Sequence, residues 1–472
     1  MIKNAGNQEK ILLQLLKKAE NTAFGKANHF SEIKSIKNFQ AKVLPQSYES
    51  HLPYINEAKK GIENQLWPGI IKNFAVSSGT SGAGKHIPIT DDRLKDDKAY
   101  QISVIKKLMS KTENWSVFGG KVLSMPGSLE IIQTNDFSYK IGEISALTAD
   151  NSSNWIDYFQ VYPLKESIKL SWKDKFELLL GIAQKADIRL ITGAPTWILE
   201  FLKESIVKSG KEIKKLWPNL KVILSGGVAL SHYKPQFDEL TQGLNCNYLE
   251  MYGASEGYIG LSELNRPDWF NLDLNQHIFY EFECLNTRDI VDLKRIQVNR
   301  EYSIRLSTNT GLWRYPLKDL VTFNNEYRIK IIGRTQTMSD YFGEAVTIDE
   351  IQGILKSLHV LTKTVTIGPL SVDGVNRLGL ILTDSNTLKI ENLSKLIDKQ
   401  LISRNRHYAI RRESAALGEI LVINHSFIAL QKIFMKNNLK AQQKIPVIIQ
   451  NRDLMNLISI KTRWLFKIIW DI

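Results

Sequence analysis

Residues 188–257 contain IRLITGAPTWILEFLKESIVKSG (188–210), KVILSGG (221–227), SHYKPQFDELTQG (231–243) and CNYLEMYGASEG (246–257). IRLIT is a short apolar run of strand length, and GAPT supplies a turn and a cap before the helical pattern WILEFLKESIVKSG. KVILSGG reads as a second strand, stopped by Gly226 and Gly227. SHYKPQFDELTQG gives another helix, and CNYLEMYGASEG a third strand that ends in a glycine-bearing loop. Strands alternating with helices imply a parallel sheet with right-handed crossovers. In such sheets ligands gather at the carboxyl ends of the strands, where GAPT, SGG and YGASEG all fall. The expected class is therefore α/β, with parallel-type sheets and helices in a large N-terminal domain.

Upstream, the chain is helix-rich: EKILLQLLKKAE and RLKDDKAYQISVIKKLM carry helical periodicity between loops containing Pro and Gly. Downstream of Tyr302 the pattern changes. YSIRLSTNTGLWRYPLKDLVTF reads as strands joined by turns, and RIKII as a strand that stops at the polar break Gly333-Arg334-Thr335. Beyond it, VTIDEIQGILKSL is a capped helix, KTVTIGPL and LGLILT alternate like strands, and LSKLIDKQLI is helical again. These divide the chain into residues 1–333, the large domain, and 334–472, a smaller α+β domain.

Residues 77–90 read SSGTSGAGKHIPIT. From Gly79, GTSGAGK fits the front of a Walker phosphate loop, but His86 stands where a Ser or Thr hydroxyl should ligate magnesium. A Walker loop must also run straight into a helix. Here Ile87 and Ile89 alternate around Pro88, which has no amide proton and steers His86 away from helical angles. A helix begins only after Thr90, a good cap followed by Asp91 and Asp92. The loop therefore joins two extended segments. It remains suited to phosphate: Gly79, Gly82 and Gly84 let backbone amides approach an anion, Ser77, Ser78, Thr80 and Ser81 add hydroxyls, and Lys85 adds charge.

Three further stretches carry chemistry. Glu256 in YGASEG presents a carboxylate at a strand end, which suits Mg²⁺ with its preference for oxygen ligands. Asp319 in GLWRYPLKDL suits a ribose diol. Lys444 in QQKIP supplies a late cation. Taken singly, each has a plainer alternative: a Ser/Gly surface loop, an exposed acid, a strand-end aspartate satisfied by a turn, a solvated lysine.

Composition narrows the class. Of 472 residues, 43% are hydrophobic and 24% charged, ordinary for a soluble globular protein with a large core. No run approaches the roughly 18 apolar residues that span a bilayer, and the N-terminus lacks a signal peptide's apolar core. Cys246 and Cys284 are too few and too far apart for a disulfide framework, which points to a reduced cytoplasm. The net charge of +13 favours anionic partners, yet no zinc-finger spacing, basic zipper or RNP-like strand marks a nucleic-acid binder. The basic tail ending KTRWLFKIIWDI reads as a short packing helix, with contact to a membrane surface as the alternative.

In this order, SSGTSG, SGGVAL, YGASEG, GLWRYPLKD, FGEAVTIDEI and QQKIP resemble the Gretchen Hagen family of acyl-acid amido synthetases, the auxin-responsive promoter proteins and their bacterial relatives. That family belongs to the adenylate-forming superfamily, with acyl-CoA ligases and firefly luciferase. The resemblance runs from about residue 20 to 450. It implies a small C-terminal domain that rotates over a large one, with ATP and Mg²⁺ as cofactors. It also implies two half-reactions: a small carboxylic acid and ATP give an acyl-adenylate, and an amine, commonly an amino acid, then takes the acyl group. By the same resemblance Ser77, Ser78, Gly79, Thr80 and Ser81 hold phosphates, Gly226 and Gly227 line the adenine pocket, and Tyr252 lies beside the base. Ser255 touches phosphate, Glu256 holds Mg²⁺, Asp319 takes the ribose, Arg334 lies at the hinge and Lys444 approaches the phosphates. The sequence departs from the family at Lys318, where relatives usually carry glycine, and at His86. Two rivals stay open: transfer to a thiol such as coenzyme A, and nucleotide binding without catalysis.

Overall fold

The 188–257 pattern folds as three parallel strands, Ile188–Gly193, Val222–Gly226 and Asn247–Ala254, paired in sequence order. The structure, a computed structural model, describes residues 7–77, 85–111, 115–134, 136–227, 229–334, 338–339, 342, 344, 346–386, 390–413, 415, 417–427, 430, 447–449 and 455. Between the first two strands runs the helix Pro195–Ser209. No side chain caps its start; proline in the first turn, with its preset φ, does that work instead of the expected cap. Gly210, at φ 64°, ends the helix in the left-handed conformation. Its apolar face packs Ile198, Phe201 and Leu202 against Ile191, Ile223 and Trp217, all fully buried. Each such side chain contributes about 1.5–3 kcal/mol.

A fourth parallel strand, Lys121–Ser124, lies on the outer side of Ile188–Gly193. On the other side the sheet changes character. A two-residue turn after Ala254 sends the chain straight back as the antiparallel strand Gly257–Glu263, and Arg266–Leu272 follows. The order then runs through Ile329–Arg334, Tyr315–Phe323, Glu301–Thr308, Ile278–Cys284 and Ile290–Asp292. Among the described residues the sheet thus holds eleven strands and is mixed, with its parallel pairs at the end that begins with Lys121–Ser124. A second sheet of four strands takes the order Lys85–Ile89, Asn73–Ser77, Ser138–Gly142, Leu129–Gln133.

The amphipathic N-terminal segment is the helix Asn7–Ala19, with Ile11, Leu12, Leu15 and Leu16 buried. The Gln8 amide donates to the Ile278 carbonyl at 3.0 Å and accepts from Tyr280 N–H at 2.9 Å, tying this helix to a strand 270 residues away.

The chain forms two compact units, one of residues 1–317 and 321–331 and the other of 318–320 and 332–472. The strand Ile329–Arg334 continues through Gly333 and Arg334, beyond the stop that the polar break suggests; Gly-Arg can extend a ladder as readily as end it. In the second unit a three-stranded sheet is built from the hairpin Val365–Val372 and Val375–Thr383 with Leu421–His425 parallel to it. The helix Ile348–Ser357 opens on a capping box formed by Thr347 and Glu350, and Ile390–Arg404 and Arg406–Glu413 follow. Ile351, Ile354, Leu378, Leu380, Ile397 and Leu401 form this unit's core. No helix among the described residues is long and apolar enough to cross a membrane.

Candidate functional site

The stretch 77–90 is a β-hairpin connection, as Pro88 requires. Asn73–Ser77 pairs antiparallel with Lys85–Ile89, and Ser77 lies opposite Lys85. Ser78, Gly79, Thr80 and Ser81 lie outside the described residues. After Ile89 the helix Asp91–Lys111 begins at once, its first turn capped by the Thr90 hydroxyl, which accepts Arg93 N–H at 3.1 Å and donates to the Asn309 carbonyl at 2.7 Å. Ala75, Ile87 and Ile89 are buried against Leu94, Leu147, Leu312 and Tyr315, so the hairpin stands on a firm base.

Lys85 leaves this base between two aromatic rings. Its ammonium lies 5.1 Å from the Tyr48 ring centroid and 5.6 Å from that of Tyr315, and donates to the Tyr315 hydroxyl at 3.2 Å. Tyr48 is held in turn: its hydroxyl accepts His86 N–H at 2.9 Å. His86, the unexpected residue of the loop, has its ring against the Lys59 ammonium, and burial pushes the Lys59 pKa down.

Glu256 reaches the same point from the other sheet. Ser255 and Glu256 form the turn between Asn247–Ala254 and Gly257–Glu263, whose ends pair as Ala254 with Gly257. Its carboxylate is buried, 8% exposed, and accepts a hydrogen bond from the Tyr315 hydroxyl. Burial first, and then the charge of Glu256, push Tyr315 ionisation far above the ordinary tyrosine range, so the phenol stays a donor. The turn is supported from below by Arg93, whose guanidinium donates to the Ser255 carbonyl at 3.4 Å and to Asp97 at 2.6 Å.

Tyr315 owes its place to the residues before it. Gly311, at φ 84°, passes so close to Leu66 that a β-carbon would sit 2.6 Å from it, so only glycine fits. Trp313 N–H donates at 3.1 Å to Nε2 of buried His51, whose Nδ1–H donates to the Ser47 carbonyl at 2.8 Å. This arrangement needs the neutral ring, and burial pushes its pKa down to about 4. Arg314 makes a two-pronged ion pair with Glu281 at 2.9 and 3.0 Å and also donates to the Val43 carbonyl, all of it buried. Lys85, Glu256 and Tyr315, drawn from three separate stretches of the sequence, therefore meet at one place.

The other predicted residues fall as follows. Gly226 ends its strand beside Met251, and Gly227 follows at φ 84°. Tyr252 is 5% exposed and packs against Phe270, ring centroids 5.4 Å apart. Asp319 is buried on the strand Tyr315–Phe323 directly after Lys318, which has φ 68°. Arg334 ends the strand Ile329–Arg334, and Lys444 lies outside the described residues. Sequence reading missed Tyr315, Tyr48, His51 and Arg93. Tyr315 had a signal, its place two positions before Leu317 and four before Asp319 on one strand; the other three had none.

Among the described residues no group of three or more His, Cys, Asp or Glu side chains is placed to hold a metal. A buried single carboxylate still fits Mg²⁺, which takes one or two carboxylates and completes its shell with phosphate oxygens and water.

Comparison with known proteins adds family context. The family model described as GH3 family N-terminal domain matches residues 1–203, and the GH3 family central domain matches 272–332. Indole-3-acetic acid-amido synthetase GH3.3 of Arabidopsis thaliana is 26% identical over 165 residues, 32% of this chain and 27% of that protein. The chain thus aligns with about a quarter of that relative's length. GH3.6 of the same plant is 20% identical over 438 residues, 74% of this chain and 70% of that one. Among solved structures, GH3.15 acyl acid amido synthetase superposes with a TM-score of 0.74 at 15% identity, covering 96% of this chain and 94% of the other. A 2-hydroxyisobutyryl-CoA ligase in complex with R3-HIB-AMP gives 0.60 at 12% identity, covering 97% and 94%. These two likenesses establish the fold, which the chain shares with both enzymes over nearly its whole length.

Proposed function

This chain belongs to the GH3 family, and on that premise we propose that it is an ATP-dependent acyl-acid amido synthetase working in the cytoplasm. It adenylates a carboxylic acid, releasing pyrophosphate, and passes the acyl group to an amine, an amino acid in the first instance. The observation that supports this reading best is the meeting of Lys85 and Glu256 at Tyr315, which joins the phosphate-type loop to the acidic turn.

The chemistry explains why such residues are needed. A carboxylate and a triphosphate repel one another, so attack on the α-phosphate requires cations and donors where charge develops. Lys85 supplies a fixed cation at the mouth of the loop, and Ser77, Ser78, Gly79, Thr80 and Ser81 supply amides and hydroxyls. Glu256 would hold Mg²⁺, which when bound neutralises phosphate charge. Ser255 contacts phosphate, Gly226, Gly227 and Tyr252 serve the base, and Asp319 serves the ribose. Arg334 is the hinge residue, and Lys444 is the second cation. The named relatives act on indole-3-acetic acid, so aryl acids head the substrate panel.

The test is acid-dependent return of labelled pyrophosphate into ATP, run with Mg²⁺ and a panel of acids. Exchange with at least one acid is expected; none across a wide panel would refute a ligase. Weighing the product formed with amino acids or with coenzyme A decides the acceptor, and a thioester would move the assignment to acyl-CoA ligase chemistry. Glu256→Ala and Lys444→Ala should each slow exchange by about 10²–10³, the scale of one preorganised electrostatic contact. Wild-type rates in both would mean these residues are not the machinery.

A further inference from the structure

We propose that Tyr315 is a positioning residue: its hydroxyl, bonded to both Lys85 and Glu256, fixes the geometry with which this cation and this carboxylate meet a magnesium triphosphate. The inference rests on the nucleotide reading of the site for the identity of the ligand. Its support lies in the geometry of one buried phenol.

Tyr315 accepts from the Lys85 ammonium at 3.2 Å and donates to the Glu256 carboxylate, so one oxygen serves both charges with opposite polarity. A phenol is suited to this role because it donates and accepts at once and stays neutral. Phenylalanine would keep the ring and lose both bonds. The two rings beside Lys85 restrict where the ammonium can go. Tyr315 itself cannot drift. Arg314 is clamped to Glu281 and Val43, and the His51 ring meets the Tyr315 ring edge-on at 5.9 Å. Glu256 has equally little slack, since it sits in a two-residue turn whose flanking residues are paired. Removing the phenol oxygen, a single atom, cuts the link that Tyr315 makes between Lys85 and Glu256.

The experiment is calorimetric titration of Mg·ATP into the full chain, as wild type, Tyr315→Phe, Lys85→Met and the double variant, alongside pyrophosphate exchange and thermal unfolding. Tyr315→Phe deletes one atom and withdraws a donor from a buried carboxylate, so the chain should still unfold cooperatively, with its unfolding temperature lowered by no more than about a few degrees. Its affinity for Mg·ATP should fall about 10- to 100-fold, the scale of losing hydrogen bonds to charged partners. The Mg²⁺ concentration needed for half-maximal ATP binding should rise with it. The double variant should bind no more weakly than Lys85→Met by more than about twofold, because coupled residues lose the same interaction once.

The outcomes separate the two readings. Wild-type exchange together with wild-type Mg·ATP affinity in Tyr315→Phe, or strictly additive effects of the two variants, overturns the positioning role alone. Mg·ATP binding without exchange for any acid overturns the ligase reading, while the affinities still decide the role of Tyr315. A wild type that does not bind Mg·ATP overturns both.

Discussion

Lys318 has φ 68° inside a strand, a conformation that costs an L-residue about 1–2 kcal/mol and glycine nothing comparable. The position where the resemblance leads one to expect glycine is thus one whose left-handed backbone favours glycine. Burial alternates along this strand through Tyr315, Leu317, Asp319, Val321 and Phe323, with Leu320 buried in addition, so Asp319 lies on the strand's buried face. Lys318→Gly should stabilise the fold by up to about 1 kcal/mol, opposite in sign to the 0.5–1 kcal/mol loss for glycine in an ordinary strand. Denaturant midpoints of the two chains decide it; a lower midpoint for the glycine variant would show that the bend is not strained. His51 offers a pH-dependent test of the support beneath Tyr315. Its native pKa is about 4 against an ordinary 6.5, so between those values the unfolded chain binds more protons. Stability is therefore fully present above pH 6.5 and falls as pH drops towards 4, by at most about 1.4 kcal/mol per unit. His51→Gln, whose amide can both donate and accept, should remove that part of the slope in urea midpoints measured from pH 4 to 7. Parallel curves for the two chains would assign the slope to other groups.

At the scale of elements, local chemistry was legible and tertiary placement was not. The βαβ alternation at 188–257 gives its own parallel strands because strand-length apolar runs and helical periods are written in the residues. Pro88 alone decides that 77–90 joins strands. Thr90 caps the helix Asp91–Lys111 as its position before two aspartates predicts. The mixed character of the large sheet was not visible, since nothing in YGASEG distinguishes a loop leading to a crossover from a turn that reverses the chain. Nor was the partner of Lys85. The choice of Tyr315 depends on Gly311, Trp313 and Arg314 being fixed by Leu66, His51 and Glu281, contacts that no local period encodes. His51 is hidden for the same reason: in sequence it is one polar residue of a helix, and only its neighbours from elsewhere make it a buried bridge.

For the molecule as a whole, a net charge of +13 spread over 472 residues favours the approach of anions, while the proposed binding geometry rests on a few residues held by buried contacts. Those groups come from far apart: Lys85 and Tyr315 are 230 positions distant, Gln8 and Tyr280 272, and Arg314 and Val43 271. Contacts of such separation are slow to form, because the intervening chain must be ordered before they reward it. The local βαβ layer, which holds Trp172, Trp197 and Trp217, has no such delay built into it. During refolding from urea, emission from a variant that keeps only Trp172, Trp197 and Trp217 should thus recover before the capacity to bind Mg·ATP, with a lag between the two signals; simultaneous recovery would contradict this order. A newly made chain would then pass through a stage that is largely folded yet silent. Competence would arrive only with the last long-distance closure, so the meeting of Lys85, Glu256 and Tyr315 would serve as its own certificate that assembly is complete.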